Sequence, residues 1–269
     1  MRGESLGGTD LFKFDSFSCL RSDYAKNECS ICIDLCPEEA MVFDRNRLTL
    51  DRERCTGCAA CVGSCPTEAL ISEVFDPNIF AVEFPKRSGG GLISCKESLP
   101  CLGALSVEHL ITIALRSESE PVCDLAHCKE CTVNSNGNVL KSIERSVEEA
   151  RSFLKSVGIG KGISVRYDLS GDADAGRRGL LKKLTGIAAE FSQDVHRSEQ
   201  AASSEERVPL KRVILKNSLK AVAEDFGDSS AVESLFSFAA NKKIDADSCT
   251  NCQECAMFCP DRSTLDTPG

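Results

Sequence analysis

The sequence predicts an α+β chain assembled from small cores. Three observations lead there. Eleven of its 17 cysteines fall into three tight runs. Between the runs, short apolar stretches of strand character alternate with stretches of helical period. Aromatic residues make up only 6% of the 269 and Trp is absent, so ring packing supplies little core. On this basis the chain divides into 1–77, with two runs and an internal repeat; 78–173, a small cysteine-rich α/β segment; 174–243, helical with a linker at 192–208; and 244–269, with the last run.

The runs are Cys29-x2-Cys32-x3-Cys36-Pro37, Cys55-x2-Cys58-x2-Cys61-x3-Cys65-Pro66 and Cys249-x2-Cys252-x2-Cys255-x3-Cys259-Pro260, with Cys19 ahead of the first. The x2-x2-x3-Pro spacing is the iron–sulfur run of bacterial ferredoxins. Thiolates two residues apart wrap one face of an iron–sulfide cube, and the one after three residues points elsewhere. Proline then stops the backbone from folding back. Zinc ribbons use pairs of cysteines instead.

Within 29–75, Cys36-Pro37-Glu38-Glu39-Ala40-Met41-Val42 recurs as Cys65-Pro66-Thr67-Glu68-Ala69-Leu70-Ile71. Each copy reads as a cysteine loop, a turn of helix and a short strand. Phe43 to Leu50 reads as a hairpin around Asp44-Arg45-Asn46-Arg47. On these residues the segment 17–75 resembles the two-cluster [4Fe–4S] ferredoxins of bacteria. The resemblance implies a ferredoxin-like domain holding two [4Fe–4S] clusters with crossed ligands. Cys65 would complete the cube of Cys29 and Cys32, and Cys36 that of Cys55, Cys58 and Cys61. The first run departs from the family pattern, because Lys26 stands where its leading cysteine would fall. Either Cys19 reaches around an enlarged loop as the fourth ligand, or it is structural and the cluster is a three-iron or non-cysteine-ligated one.

In the central segment, Ile79 to Phe84 reads as a strand, and Gly89-Gly90-Gly91 leads into a second, Leu92-Ile93-Ser94, ending at Cys95. Ser106 can cap a helix through Leu115 with Val107, Leu110, Ile111, Ala114 and Leu115 on one face. Pro121 to Ala126 reads as a strand and His127-Cys128-Lys129-Glu130-Cys131 as a loop. Asn138 can cap a long helix with Val139, Ile143, Val147, Ala150, Leu154 and Val157 in register, ended by Gly158. Ile163 to Leu169 reads as a strand. Cys101 before a helix, a strand ending at Cys128-x2-Cys131, Gly137-Asn138, the long helix and the strand with Arg166 resemble the iron–sulfur delta subunit of methyl-viologen-reducing hydrogenases. That resemblance implies a thioredoxin-like layer on which Cys95, Cys101, Cys128 and Cys131 bind one [2Fe–2S] or [4Fe–4S] cluster. Read from the residues alone, the four also suit structural zinc or redox-active thiols. Cys123, inside an apolar strand, reads as a small buried side chain.

Beyond 174, Leu180, Leu181, Leu184, Ile187, Ala188 and Phe191 make one helical face, Pro209 can open a helix to about Asp225, and Ser229 to Ala240 can form another. The basic stretches Arg177-Arg178 with Lys182-Lys183, and Lys211-Arg212 with Lys216 and Lys220, read as solvated helix faces, with docking of an acidic partner as the alternative. The last run can hold one [4Fe–4S] cluster with Cys249, Cys252 and Cys255. Its fourth thiolate is Cys259 or comes from elsewhere. The sequence given ends ten residues after Cys259, short of a second ferredoxin half.

The formal charge is −9 before cluster thiolates are counted. An acidic surface argues against nucleic acid, whose binding rests on neutralising phosphates. No apolar run approaches the 18 residues of a membrane span and no export signal is visible, which points to the cytoplasm and to reduced thiols. There is no GxGxxG, GxSxG, HExxH or Walker sequence, and the Gly89–Gly91 run precedes a strand rather than opening a helix. The expected function is multi-cluster electron transfer within an anaerobic oxidoreductase complex of hydrogenase, molybdenum or tungsten dehydrogenase, or heterodisulfide-reductase type. Its partners would be a catalytic subunit and an electron carrier or second redox subunit. The alternatives are a redox enzyme acting at an open cluster or dithiol, and a maturation or docking protein for a metalloenzyme.

Overall fold

The computed structural model describes residues 4–5, 11–23, 27–44, 47–168 and 208–222. The helices expected at 180–191 and 229–240, the basic stretch at 177–183, the linker up to 207, and the last cysteine run lie outside the described residues.

The N-terminal elements are β1 (Glu4–Ser5), β2 (Phe12–Phe14), α1 (Leu20–Asp23), α2 (Ile31–Asp34), β3 (Met41–Asp44), β4 (Arg47–Leu50), α3 (Ala60–Ser64) and β5 (Leu70–Ser72). The repeat is visible as α2 leading to β3 and α3 leading to β5. The expected hairpin forms, with Met41 opposite Leu50 and Phe43 opposite Leu48. Met41, Leu48 and Leu50 point inward while Val42, 54% exposed, points out, the alternation of a half-buried ribbon. β1 and β2 were not expected from the residue pattern. β2 pairs antiparallel with both β1 and β5 and buries Phe12 and Phe14. Lys13 between them reaches Glu73 at 2.9 Å.

The remaining elements are α4 (Pro77–Ser88), β6 (Leu92–Ile93), α5 (Val107–Arg116), β7 (Val122–Asp124), α6 (Asn138–Ser156), β8 (Ser164–Arg166) and α7 (Leu210–Val222). The strand expected over Ile79 to Phe84 is instead part of α4. Asp76 caps it, Oδ1 accepting from the N–H groups of Asn78 and Ile79, and Pro77 supplies the first-turn φ. Four residues apart on the helix, Phe80 and Phe84 stack with centroids 5.0 Å apart. A short apolar run does not by itself distinguish helix from strand, and here the cap decides.

β6, β7 and β8 are parallel and lie side by side in chain order, with Ile93 beside Cys123 and Cys123 beside Val165. The crossover helices α5 and α6 pack on each other. α5 is buried along nearly its whole length because α4, α6 and α7 all pack against it. Its cap is Ser106, as expected. The expected buried face of α6 forms with Val139, Ile143, Val147, Ala150 and Leu154, but Gly137 at φ +73° is its cap and Asn138 its first residue. Asn136 and Asn134 side chains accept the N–H groups of Asn138 and Leu140 instead. Among the described residues this sheet has three parallel strands, which gives no support to the thioredoxin-like layer.

The two cysteine-bearing regions share their packing. Ala60 and Leu35 belong to the core around α5, and Ala104 belongs to the core around β2 and β5. Gly63 in α3 lies so close to the turn Leu102–Ala104 that a Cβ there would sit 2.4 Å from the carbonyl carbon of Ala104. The solvated face expected for Lys211 is corrected by α7. Lys211 is 3% exposed, buried with Ile214, Leu215 and Ser218 where the helix lies on α5, while Lys216 and Lys220 do face solvent.

Candidate iron–sulfur sites

Cys19, Cys29, Cys32 and Cys65 line one small cavity, with Phe14, Phe43, Leu48 and Leu70 as its apolar wall. Cys36, Cys55, Cys58 and Cys61 line a second, walled by Phe12, Met41, Leu50 and Ala59. Each cavity thus takes its last cysteine from the other run. Cys19 stands immediately before α1, and that turn carries it to the first cavity. The Cys29 N–H donates to Asn27 Oδ1 at 2.9 Å, fixing the entry to the first run.

The loops after Cys36 and Cys65 share one geometry. The Ala40 N–H donates to Cys36 Sγ at 3.3 Å, and the Ala69 N–H to Cys65 Sγ at 3.3 Å. Glu39 and Glu68 make this approach possible by adopting left-handed backbone, at φ +48° and +55°. That conformation costs an L-residue about 1–2 kcal/mol, and both copies of the repeat keep it. An N–H directed at sulfur stabilises the sulfur's negative charge.

Burial pushes the Cys32 thiol up to about 12, and Cys65, Cys19 and Cys29 add to the rise. Burial also lifts Cys61 well above its ordinary value and raises Cys58, with neighbouring cysteines of the second cavity contributing to both. Thiols so placed lose their protons when a metal takes over the sulfur charge. Among the described residues no three His, Cys, Asp or Glu groups converge to hold a single ion. The donors are spread around a cavity, an arrangement that fits a polynuclear cluster with apolar walls and N–H groups turned to sulfur.

The central cysteines gather at the carboxyl ends of the parallel strands, where open α/β sheets place their sites. Cys95 follows β6, Cys128 and Cys131 follow β7, and Cys101 opens the turn Leu102–Ala104 with Sγ accepting the Gly103 N–H at 3.4 Å. Cys128 is pushed up to about 11 by burial, then by Cys95 and Cys131. Cys101 is pushed up to about 12 by burial, with Cys58, Cys128 and Cys95 adding. The turn that Cys101 opens packs on α3, and Cys58 lies against the same core as Cys101. Cys123 stands apart, fully buried in β7 and pushed up to about 12 by burial, with no cysteine contributing. His127 is exposed.

Residues 27–69 match the 4Fe-4S dicluster domain, and residues 246–262 match a 4Fe-4S binding domain. The chain carries a two-cluster ferredoxin-type domain and a C-terminal iron–sulfur domain. Iron–sulfur domains of this kind point to electron transfer. No curated protein and no solved structure matches the chain. Neither domain match reaches the central cysteines, and nothing found supports the delta-subunit resemblance there. Among the described residues no helix is long and apolar enough to cross a membrane.

A buried polar chain leads into the dicluster domain from outside it. His109 Nδ1 meets the Ser106 N–H at 3.1 Å, and His109 Nε2 lies 3.1 Å from Asn78 Oδ1. Asn78 Nδ2 donates to Glu68 Oε1 at 2.7 Å, and the Lys211 N–H to Glu68 Oε2 at 3.2 Å. Lys211 Nζ donates to the Cys65 carbonyl at 2.7 Å. The sequence hid this chain, because its members lie far apart and each has an ordinary surface role. Only the Ser106-x-x-His109 spacing hints at a capping box.

Burial, then Lys211, pushes His109 down to about 3. Below its ordinary 6.5 the unfolded chain gains a proton that the folded chain refuses, so stability falls as pH drops through that value. Burial raises Glu68, whose proton uptake by the folded chain opposes this at lower pH. Between pH 6.5 and 5.5 we expect a loss of about 1 kcal/mol in unfolding free energy. His109→Gln should flatten that slope; equal slopes would show that His109 charges freely in the fold.

Proposed function

We propose that the chain is an electron-transfer subunit with clusters at four sites. Two [4Fe–4S] clusters occupy the dicluster domain, one on Cys19, Cys29, Cys32 and Cys65 and one on Cys36, Cys55, Cys58 and Cys61. A third [4Fe–4S] belongs to Cys249, Cys252, Cys255 and Cys259, and a [2Fe–2S] or [4Fe–4S] cluster to Cys95, Cys101, Cys128 and Cys131. The observation that carries this reading is the pair of cavities, each walled by apolar side chains and by four cysteines drawn from both runs. The packing of α3 on the turn after Cys101, with Cys58 against the same core, supports continuity between the central set and the second cavity.

Bound clusters supply one-electron chemistry. The chain holds them, keeps water off them with Phe12, Phe14, Met41 and Leu70, and fixes their order in space. Such a series serves a catalytic subunit at one end and an electron carrier or second redox subunit at the other. A hydrogenase, a molybdenum or tungsten dehydrogenase and a heterodisulfide-reductase-type complex all have that requirement, in an anaerobic cytoplasm.

Anaerobic iron and sulfide analysis with Mössbauer spectroscopy tests the reading. It should give about 14–16 irons per chain. About eight irons with stoichiometric zinc would remove the central and C-terminal clusters and leave a two-cluster protein.

A further inference from the structure

The two halves of the dicluster domain repeat each other in backbone but not in charge. In one half the Cys36 carbonyl accepts from Asn136 Nδ2 at 3.5 Å and the Pro37 carbonyl from Ser135 Oγ at 3.1 Å, both neutral donors. Glu39, the repeat's counterpart of Glu68, is 84% exposed beside the Arg54 guanidinium at 3.5 Å. In the other half the Cys65 carbonyl accepts from the Lys211 ammonium at 2.7 Å. Glu68 is half-buried there and receives the first turn of α7, the helix that brings the lysine. A full positive charge thus sits, out of water, on the backbone of one half's last cysteine and not on that of the other.

We propose that Lys211 sets apart the potentials of the two cubes, making the one completed by Cys65 the more easily reduced. This rests on the cluster assignment proposed above. Reduction adds a negative charge to a cluster, and a buried ammonium lowers the energy of that state more than a solvated one does. The counter-charge lies behind the ammonium. Glu108 Oε1 stands 3.9 Å from Lys211 Nζ and 3.7 Å from Arg212 Nε, and so divides its attraction between two cations. The cube completed by Cys36 takes Cys58, which lies against the same core as Cys101. With clusters bound, the charge at Lys211 would favour an electron shared between the two cubes on the one completed by Cys65. Lys211 is a positioning residue for charge: it touches a ligand's carbonyl rather than the cluster.

EPR-monitored redox titration of the anaerobic, full-length, cluster-loaded protein tests this. Cys65→Ser first identifies which cube signal belongs to which cavity. Lys211→Met should then move the signal of the Cys65 cube to lower potential, leave the Cys36 cube in place and keep the iron count. Lys211→Arg, which keeps the charge, should restore the split. Glu108→Gln, which removes the nearest counter-charge, should shift the same signal upward. Two intact cube signals with unmoved potentials in Lys211→Met, or an equal shift of both, would overturn the proposal and leave the cluster assignment standing. Absence of two cube signals in the unaltered protein would instead overturn the assignment. If Lys211→Met fails to fold, Glu108→Gln decides: no upward shift ends the proposal.

Discussion

Serine in place of Cys65 is expected to empty the cavity lined by Cys19, Cys29 and Cys32 and to spare the one beside its own run. Cys65 follows Cys61 by four positions in the sequence, yet the two side chains end in different cavities. α3 separates them, because its last turn carries the chain from the second cavity to the first before Pro66 stops the helix. The mirror variant, Cys36→Ser, should strip the cube of Cys55, Cys58 and Cys61 and leave that of Cys29 and Cys32. Each change should remove about four irons per chain, or leave a three-iron form. Metal binding and folding are linked, so each should also lower the melting temperature of the loaded protein. EPR on the two variants should show complementary losses. If Cys65→Ser instead abolished the cube of its own run, the crossed assignment would be wrong.

The second large effect belongs to Gly63. A Cβ at this position meets the carbonyl carbon of Ala104 at 2.4 Å and the carbonyl oxygen of Gly103 at 2.4 Å. Those are backbone atoms of the turn that begins at Cys101, and they cannot swing aside as a side-chain tip would. Gly63→Ala must push α3 away from that turn and separate Cys58 from Cys101 on its way. We expect a cost of about 3 kcal/mol, the upper part of the usual range for overpacking. Gly57→Ala is the control. Gly57, unlike the helical Gly63, has positive φ, at +69°, and open space around it, so only the backbone cost of about 1 kcal/mol applies. Anaerobic denaturant unfolding of the loaded proteins compares the two. If Gly63→Ala were no worse than Gly57→Ala, α3 would not rest on the turn as described.

The sequence was most legible where spacing alone dictates geometry. The spacing marked the two N-terminal cysteine runs; their crossing was legible only through the ferredoxin resemblance, and the cavities are lined by cysteines of both runs, with Cys19 at the first. The β3–β4 hairpin, the Ser106 cap and the buried face of α6 were legible for the same reason, since period and local hydrogen bonding fix them. Misreadings came where distant partners decide. Ile79 to Phe84 is apolar enough for a strand, but Asp76 and the surface of α5 make it helical. Lys211 sits among lysines and arginines that look solvated, and only the fold brings the Cys65 carbonyl to its ammonium. Glu68, Asn78 and His109 are joined by hydrogen bonds spanning 10 and 31 positions, which no local pattern announces.

The interchange of cysteines between the two runs also governs how the protein comes into being. As the chain leaves the ribosome, Cys19, Cys29 and Cys32 emerge early, but their cavity lacks its fourth wall until α3 has folded and delivered Cys65. Cys36 likewise waits for Cys55, Cys58 and Cys61. Neither cavity has its four cysteines on a nascent chain that ends between the runs. A segment that stops between the runs therefore carries neither full set of four cysteines, and the two cavities stand or fall as one unit of sequence.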